Sequence, residues 1–231
     1  MSLLQNEGFA SPPPSQRSPA LTPIQRDVFV LGAGGHAKVV LSTLMELGVK
    51  VAGIYDDAPT KLGTEVLGVP VLGAIRDLRD TKGAVWAIGV GDNVLRHQIA
   101  ARFPSAEWLT VIHPRAYVHN SASLGPGTMV VAGAIIQPGA RIGRHCIINT
   151  EATVDHDCVV ADFCHVGPGC NMGMRVTLAE GVFMGITSVA IENTSVGAWT
   201  TVGAGAAVVM DLPDHVLAVG VPATVRRRLE A

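Results

Sequence analysis

From Ile148 to Cys158 the sequence reads Ile-Asn-Thr-Glu-Ala-Thr-Val-Asp-His-Asp-Cys, placing His156 between Asp155 and Asp157. A carboxylate beside an imidazole fixes its tautomer and raises its basicity. The result is a ring nitrogen with a free lone pair near neutral pH, which is what a general base requires. A lone surface histidine is by default only solvated. Here the two flanking aspartates, Asn149 just before and His165 nine residues on argue for chemistry.

A second constellation lies nearer the N-terminus. Gly32-Ala-Gly34-Gly-His36-Ala37 sits between an apolar run and a helical pattern, with Asp56 about twenty residues further on. Such a turn brings backbone close to a ligand and sets a phosphate on a helix N-terminus. The pattern is moderately specific for a phosphate-bearing ligand and weak for a nicotinamide dinucleotide. His36 stands in the turn itself, and Asp56 at a strand end where such folds bind ribose or base; its plain alternative is a loop carboxylate. Gly91 and Asn93 end another apolar run on the same rim, either touching the ligand or capping the next helix.

Two kinds of element must hold these residues. From Val118 to Val208 every sixth residue is apolar: Val118, Leu124, Val130, Ile136 and onward through Val154, Met172, Met184 and Ala190. This period belongs to neither helix nor plain strand and is the hexapeptide signature of a parallel β-helix. Each hexad is one short flat face and a turn, and three faces close a coil of about eighteen residues. A small or β-branched residue two positions earlier also points inward, because strand side chains alternate. Cys146, Cys158, Cys164 and Cys170 all occupy that small position, so they read as packed free thiols. Glycine often follows the large residue, as at Gly143 and Gly185, where it is expected to permit unusual turn dihedrals.

The organisation expected is a flexible Ser/Pro/Gln-rich tail over 1–25, a Rossmann-like α/β domain over 26–112, a β-helix over 113–211 and a C-terminal tail over 212–231. Strands are expected at Asp27–Leu31, Val51–Tyr55, Val69–Leu72, Ala84–Val90 and Trp108–Ile112. The net charge of −2 and the lack of a basic run argue against nucleic acid as a partner. No apolar run spans a bilayer and no secretory signal pattern opens the chain, so a reducing cytoplasm, away from the membrane, is the expected setting. No metal constellation is evident.

These residues together resemble the nucleotide-sugar N-acetyltransferases of the hexapeptide acyltransferase superfamily, the two-domain enzymes that acetylate the 4-amino group of nucleotide-linked deoxy sugars. The motifs that carry the resemblance are Gly32-Ala-Gly-Gly-His-Ala-Lys38, Tyr55-Asp-Asp57, Ile88-Gly-Val-Gly-Asp-Asn93, His113-Pro114, Ile148-Asn-Thr150, Val154-Asp-His-Asp-Cys158, Cys164-His-Val166 and Gly220-Val-Pro-Ala223. The resemblance implies a left-handed β-helix, a homotrimer and acetyl-CoA bound between neighbouring subunits, with no metal. It assigns His156 as catalytic base and Asp157 as the residue that tunes it. Gly34, His36, Asp56 and Asn149 fall to the acceptor, a nucleotide-linked amino sugar, and Asn93 is placed with them by its position on the same rim. His165, Met174, Ile186, Ala204, Val221 and Pro222 fall to acetyl-CoA. The chain departs from the family at Met174, where members commonly carry glycine; a backbone N–H, which suits an oxyanion donor, does not depend on the side chain. Three other readings stay open on the residues alone: sugar O-acetyl transfer of the sialic-acid type, a dinucleotide-binding redox protein, and a β-solenoid scaffold.

Overall fold

The computed structural model describes residues 26–79 and 81–230, and the expected tail over 1–25 lies outside them. The first part alternates strand and helix: β1 (Val28–Leu31), α1 (Gly35–Glu46), β2 (Val51–Tyr55), β3 (Glu65–Val66), β4 (Val69–Gly73), β5 (Val85–Ile88), α2 (Asn93–Arg102) and β6 (Glu107–Trp108). In space the order is β3-β4-β2-β1-β5-β6, parallel except for β3 against β4. The all-apolar segments β1 and β5 lie at the centre, as strands covered on both faces must. From β1 the chain winds outward through β2 to β4, and β5 and β6 lie on the other side. The order therefore reverses between β1 and β5, and their C-terminal ends open the crevice where such sheets bind ligands. Helix α1 buries Ala37, Val40, Leu41 and Leu44, one stripe at helical spacing.

The stretch Trp108–Ile112, expected as one strand, is divided between two sheets. Trp108 ends β6 beside β5, and β7 (Val111–Ile112) pairs with Met129–Val130 in the second domain. The β-helix therefore begins before residue 113. Sixteen two-residue strands follow, from Tyr117–Val118 to Ala207–Val208, each with a lattice residue in second place. They form three parallel faces. Face one carries Met129, Ile147, His165, Phe183 and Thr201; face two carries Tyr117, Ile135, Thr153, Asn171 and Val189; face three carries Arg141, Val159, Thr177 and Ser195. Partners such as Met129 and Ile147, or Ile147 and His165, lie one coil apart. From Val130 to Val208 every lattice residue is at most 4% exposed, and the four cysteines are reduced and fully buried. Each large aliphatic side chain buried here favours folding by about 1.5–3 kcal/mol, much of it offset by chain entropy. Val118 and Leu124 are only half-buried, because they close the open first coil.

The glycines that follow the lattice residue serve a different end from the one expected. Gly143 and Gly185 do not have positive φ. A Cβ on Gly185 would stand 2.6 Å from the Val202 carbonyl oxygen and 2.7 Å from the Ala204 nitrogen. Glycine is needed there because the next coil passes too close for a side chain. The left-handed residue comes two positions later and recurs every six residues from Gly127 to Gly205, and it is often not glycine: His145, Glu151, Asp157, Phe163 and Trp199 all adopt it.

The lattice also continues past Asp211. Leu212 bridges to Val196, Val216–Val219 pairs with Thr201–Val202 on face one, and Thr224–Arg228 turns back antiparallel against it. The Asp211 and Asp214 carboxylates accept from the backbone nitrogens of Ser195 and Ala198, satisfying donors that the ending coil leaves unpaired. The two domains share a core: α1 residues Val40 and Leu44 pack with Met129, Val131 and Ile147 of the β-helix. Among the described residues no helix is long and apolar enough to cross a membrane.

Candidate active site

The glycine turn lies at the sheet's switch point. Gly32 has a φ of +102°, and a Cβ there would stand 2.6 Å from Val90 Cγ2. Around Gly34 and Gly35 the space is open, with nothing within 4 Å of the point that a Cβ would occupy. Gly34 caps α1 without a side-chain hydrogen bond, so the helix presents bare N–H groups to that space. Asp56 is tied back to this turn: its carboxylate accepts from Ala33 N at 2.6 Å and from Ala58 N at 2.8 Å. Its first role is therefore to hold the turn, and each oxygen keeps a second lone pair. His36 Nε2 is buried and has no hydrogen-bond partner among the described residues. Burial, then the charge of Arg96, pushes the His36 pKa down to about 4, so the ring is neutral.

The His165 ring on face one stands 6.4 Å, centroid to centroid, from His36. Its Nδ1 is 3.3 Å from the Gly91 carbonyl oxygen, and its Nε2 is 2.9 Å from the Asn149 side-chain nitrogen. A carbonyl can only accept and an amide NH2 can only donate. The ring therefore carries its proton on Nδ1, and its Nε2 lone pair is occupied. Burial first, then Arg96 and His36, pushes its pKa down to about 3. His165, assigned by resemblance to acetyl-CoA, is thus a neutral side chain on the rim that His36 and Gly91 share, with its one free lone pair already taken.

Asn93 is not the cap of the next helix. Asp92 is the N-cap of α2, accepting from Leu95 N at 2.8 Å. The Asn93 amide donates to the carbonyls of Gly181 and Val182 and accepts from Arg96. Every polar atom of the side chain is therefore engaged in joining the domains. Beyond it, a cleft of about 540 Å³ opens among Asp92, Val94, His97, Phe183, Trp199 and Thr201.

His156 lies elsewhere. It occupies the corner between faces two and three, with the side chain 42% exposed. Its Nδ1 is 2.8 Å from Asp157 Oδ2, and its backbone nitrogen donates to Asp155 Oδ1 at 2.7 Å. An ionised carboxylate only accepts, so the proton sits on Nδ1 and Nε2 faces solvent with its lone pair free. Asp157 holds this pose in the left-handed region, φ +60°, beside Gly139, where a Cβ would approach Asp157 Oδ1 to 2.5 Å. Met174 is one coil above His156 on the same corner. Ile186, Ala204, Val221 and Pro222 form a column on a different corner, between faces one and two, and all are exposed. Of the expected residues, then, one chain brings Gly34, His36, Asp56, Asn93, Asn149 and His165 together on one rim. It leaves the His156 corner opposite face one. Among the described residues, no group of three or more His, Cys, Asp and Glu side chains is placed to hold a metal ion.

Comparison with known proteins places this geometry. The family described as the PglD N-terminal domain matches residues 27–103. A perosamine N-acetyltransferase variant from Caulobacter crescentus, solved with CoA and GDP-perosamine, is 42% identical with a TM-score of 0.81, covering 87% of this chain and 97% of that one. The chain belongs to the nucleotide-sugar N-acetyltransferases of the hexapeptide superfamily. The acetyltransferase domain of PglB from Neisseria gonorrhoeae, solved with acetyl coenzyme A, is another solved member: 35% identity, TM-score 0.80, 87% and 98% of the two chains. Curated relatives match over less of their length. A UDP-N-acetylbacillosamine N-acetyltransferase of Bacillus subtilis is 37% identical over 46% of this chain and 52% of that protein. An uncharacterized mimivirus protein, L142, is 32% identical over 48% of this chain and 22% of its own length.

Sequence reasoning about this N-acetyltransferase family member missed Arg96, Gly139 and the aromatic walls Phe183 and Trp199. A signal for Arg96 was present. Asn93, Arg96, Ile99 and Ala100 fall on one stripe of α2, so two polar residues occupy core positions.

Proposed function

We propose that this protein transfers the acetyl group of acetyl-CoA to the 4-amino group of a nucleotide-linked deoxy sugar, with His156 as general base. The observation that carries this is the His156–Asp157 pair: a fixed tautomer, and an Nε2 with no competing partner among the described residues. The solved relative that binds CoA and GDP-perosamine, similar over nearly its whole length, supports the substrate classes. In this reading the glycine turn and bare α1 N-terminus take the diphosphate, and His36 Nε2 gives a buried polar contact to the acceptor. The amine nitrogen attacks the thioester carbonyl carbon while His156 Nε2 takes the amine proton. The tetrahedral oxyanion is met by a backbone N–H near Met174. Collapse breaks the C–S bond, and the imidazolium returns the proton to the CoA sulfur. The amine is a good nucleophile, so proximity and one base suffice.

His156 and the acceptor rim face opposite ways in one chain, so this chemistry needs a second copy. Face two and its edges expose apolar side chains: Tyr117, Ile135, Ile186, Val189 and Ile191 are 37–52% exposed. Packing these in a homotrimer would set the His156 corner of one copy against the rim of the next, with Ile186, Ala204, Val221 and Pro222 along acetyl-CoA. The test is incubation with acetyl-CoA and UDP-, GDP- and dTDP-linked 4-amino and matched 4-hydroxy sugars, with products read by mass. Gain of one acetyl on an amino sugar, stable to hydroxylamine, is the expected result. Gain only on a hydroxy sugar would replace this reading with O-acetyl transfer, and no binding of acetyl-CoA would replace it with a scaffold.

A further inference from the structure

We infer that Arg96 is a positioning residue for this transfer: its guanidinium rivets the acceptor rim to face one of the β-helix and, through the Gly91 carbonyl, holds His165 in a single orientation. The inference rests on the function proposed above for its effect on turnover, but its effect on His165 stands apart from that function.

Arg96 is 1% exposed, the largest of the fully buried side chains. Its Nε donates to the His145 carbonyl at 2.7 Å, and its Nη2 donates to the Phe163 carbonyl at 2.8 Å and to that of Cys164 at 3.3 Å. These three carbonyls belong to the β-helix. On the other side Nη1 donates to the Gly91 carbonyl at 3.0 Å and the Val90 carbonyl at 3.3 Å, both on the acceptor rim, and Nη2 reaches Asn93 Oδ1 at 2.9 Å. None of these acceptors is a carboxylate. Burying a cation against neutral dipoles is costly, and an apolar side chain would fill the space without that cost. What an apolar side chain lacks is the planar fork, whose fixed directions hold five backbone carbonyls from two domains in one geometry.

The Gly91 oxygen has two lone pairs. One accepts from Arg96 and the other faces His165 Nδ1, whose opposite nitrogen accepts from Asn149. The rivet thus acts with the Asn149 amide to set which nitrogen of His165 carries the proton and where its ring points. The charged and titratable groups around His165 are Arg96, Asp92 and His97 from α2 and its start, His36 from α1, Cys164 on its own turn, and His215 and Glu230 across the cleft it shares with them. Arg96 is the permanent charge among them that opposes protonation of the ring. If the rim holds the acceptor and the β-helix the acyl donor, loosening the rivet misplaces two substrates that each still bind. A misplacement of about 1 Å costs roughly 100-fold in rate.

The test compares wild type with Arg96→Lys, which keeps the charge but loses the fork, and Arg96→Met, which loses both. Three readouts are taken: kcat and KM, binding of acetyl-CoA and of the nucleotide sugar separately, and the imidazole 15N shifts of His165 from pH 8 to pH 4. Both variants are expected to lose kcat by about 100-fold with KM for either substrate within about threefold. His165 is expected to show one Nδ1–H tautomer in wild type and a mixture in both variants, and to begin protonating at higher pH in Arg96→Met alone. Lower thermal stability with unchanged kcat and unchanged His165 shifts would overturn the inference, leaving Arg96 a structural residue. Failure of even Arg96→Lys to fold would do the same. Should the wild type transfer no acetyl group while the His165 shifts respond as expected, the proposed function fails and the rivet stands.

Discussion

His156 is oriented by one hydrogen bond to Asp157, and that bond depends on a glycine one coil away. Replacing His156 by alanine removes an exposed side chain, so stability should hold while turnover falls by roughly 10²–10⁴-fold. Near-normal turnover in that variant would sink the assignment of the base. Gly139→Ala is a subtler probe. Its Cβ would meet Asp157 Oδ1 at 2.5 Å, on a residue whose φ of +73° already disfavours a side chain. We expect the carboxylate to leave Nδ1 and kcat to fall by about tenfold, the weight of one charge-assisted hydrogen bond. Steady-state kinetics with a nitrogen-resolved NMR spectrum of His156 would check both effects. The Asp-His-Asp cluster was legible in the sequence because its members are adjacent. Gly139 was not, since its partner is eighteen residues away and only stacking of coils brings them together.

At the scale of elements, two glycines with the same one-letter code have opposite uses. Gly185 lies where the next coil's backbone crosses within 2.7 Å of a Cβ position, so Gly185→Ala should cost about 1–3 kcal/mol by overpacking. Gly34 has nothing within 4 Å, so Gly34→Ala should leave stability within about 0.5 kcal/mol and instead weaken binding of the nucleotide sugar. Denaturant titrations paired with calorimetric binding would separate the two; a destabilised Gly34→Ala with normal binding would contradict the role given to the turn. The hexad period made the β-helix readable, because a pattern that points inward every six residues has few other solutions. The end of the solenoid was not readable. After Val208 the apolar phase lapses, yet Val216–Val219 still pairs on face one through backbone hydrogen bonds, which carry no side-chain signature.

At the scale of the molecule, three histidines are held neutral. The pKa of His36 and of His145 is pushed down to about 4 and that of His165 to about 3, in each case by burial first. The unfolded chain takes up protons on them as pH falls below 6.5, while the folded chain does not until about pH 4 or lower. The unfolded state therefore binds more protons in this window, and stability is lost as pH drops from 6.5 toward 4. The slope is about 1.4 kcal/mol per pH unit for each histidine that stays neutral. Urea midpoints measured across that range should fall, and a flat profile would show that the histidines are hydrated. The proposed assembly makes a separate prediction. Copies carrying His156→Ala and copies carrying His36→Ala, each impaired alone, should regain turnover when unfolded and refolded together, because some sites would take His156 from one copy and the rim from another. No recovery from mixed oligomers would argue for a site within one chain.

Taken alone, the sequence determined the two-domain plan, the hexad core, the buried thiols, the glycine turn and the histidine with its neighbouring carboxylate. All of these are written in local spacing, where the period of a strand or turn fixes which way a side chain points. Only the tertiary structure decided that His165 and Asn149 close on Gly91, that Asn93 and Arg96 join the domains, and that His156 lies on the far side of the prism from the rim of His36 and His165. These outcomes depend on how coils stack and how a helix docks on one face, and contacts between residues tens of positions apart leave no period in the chain.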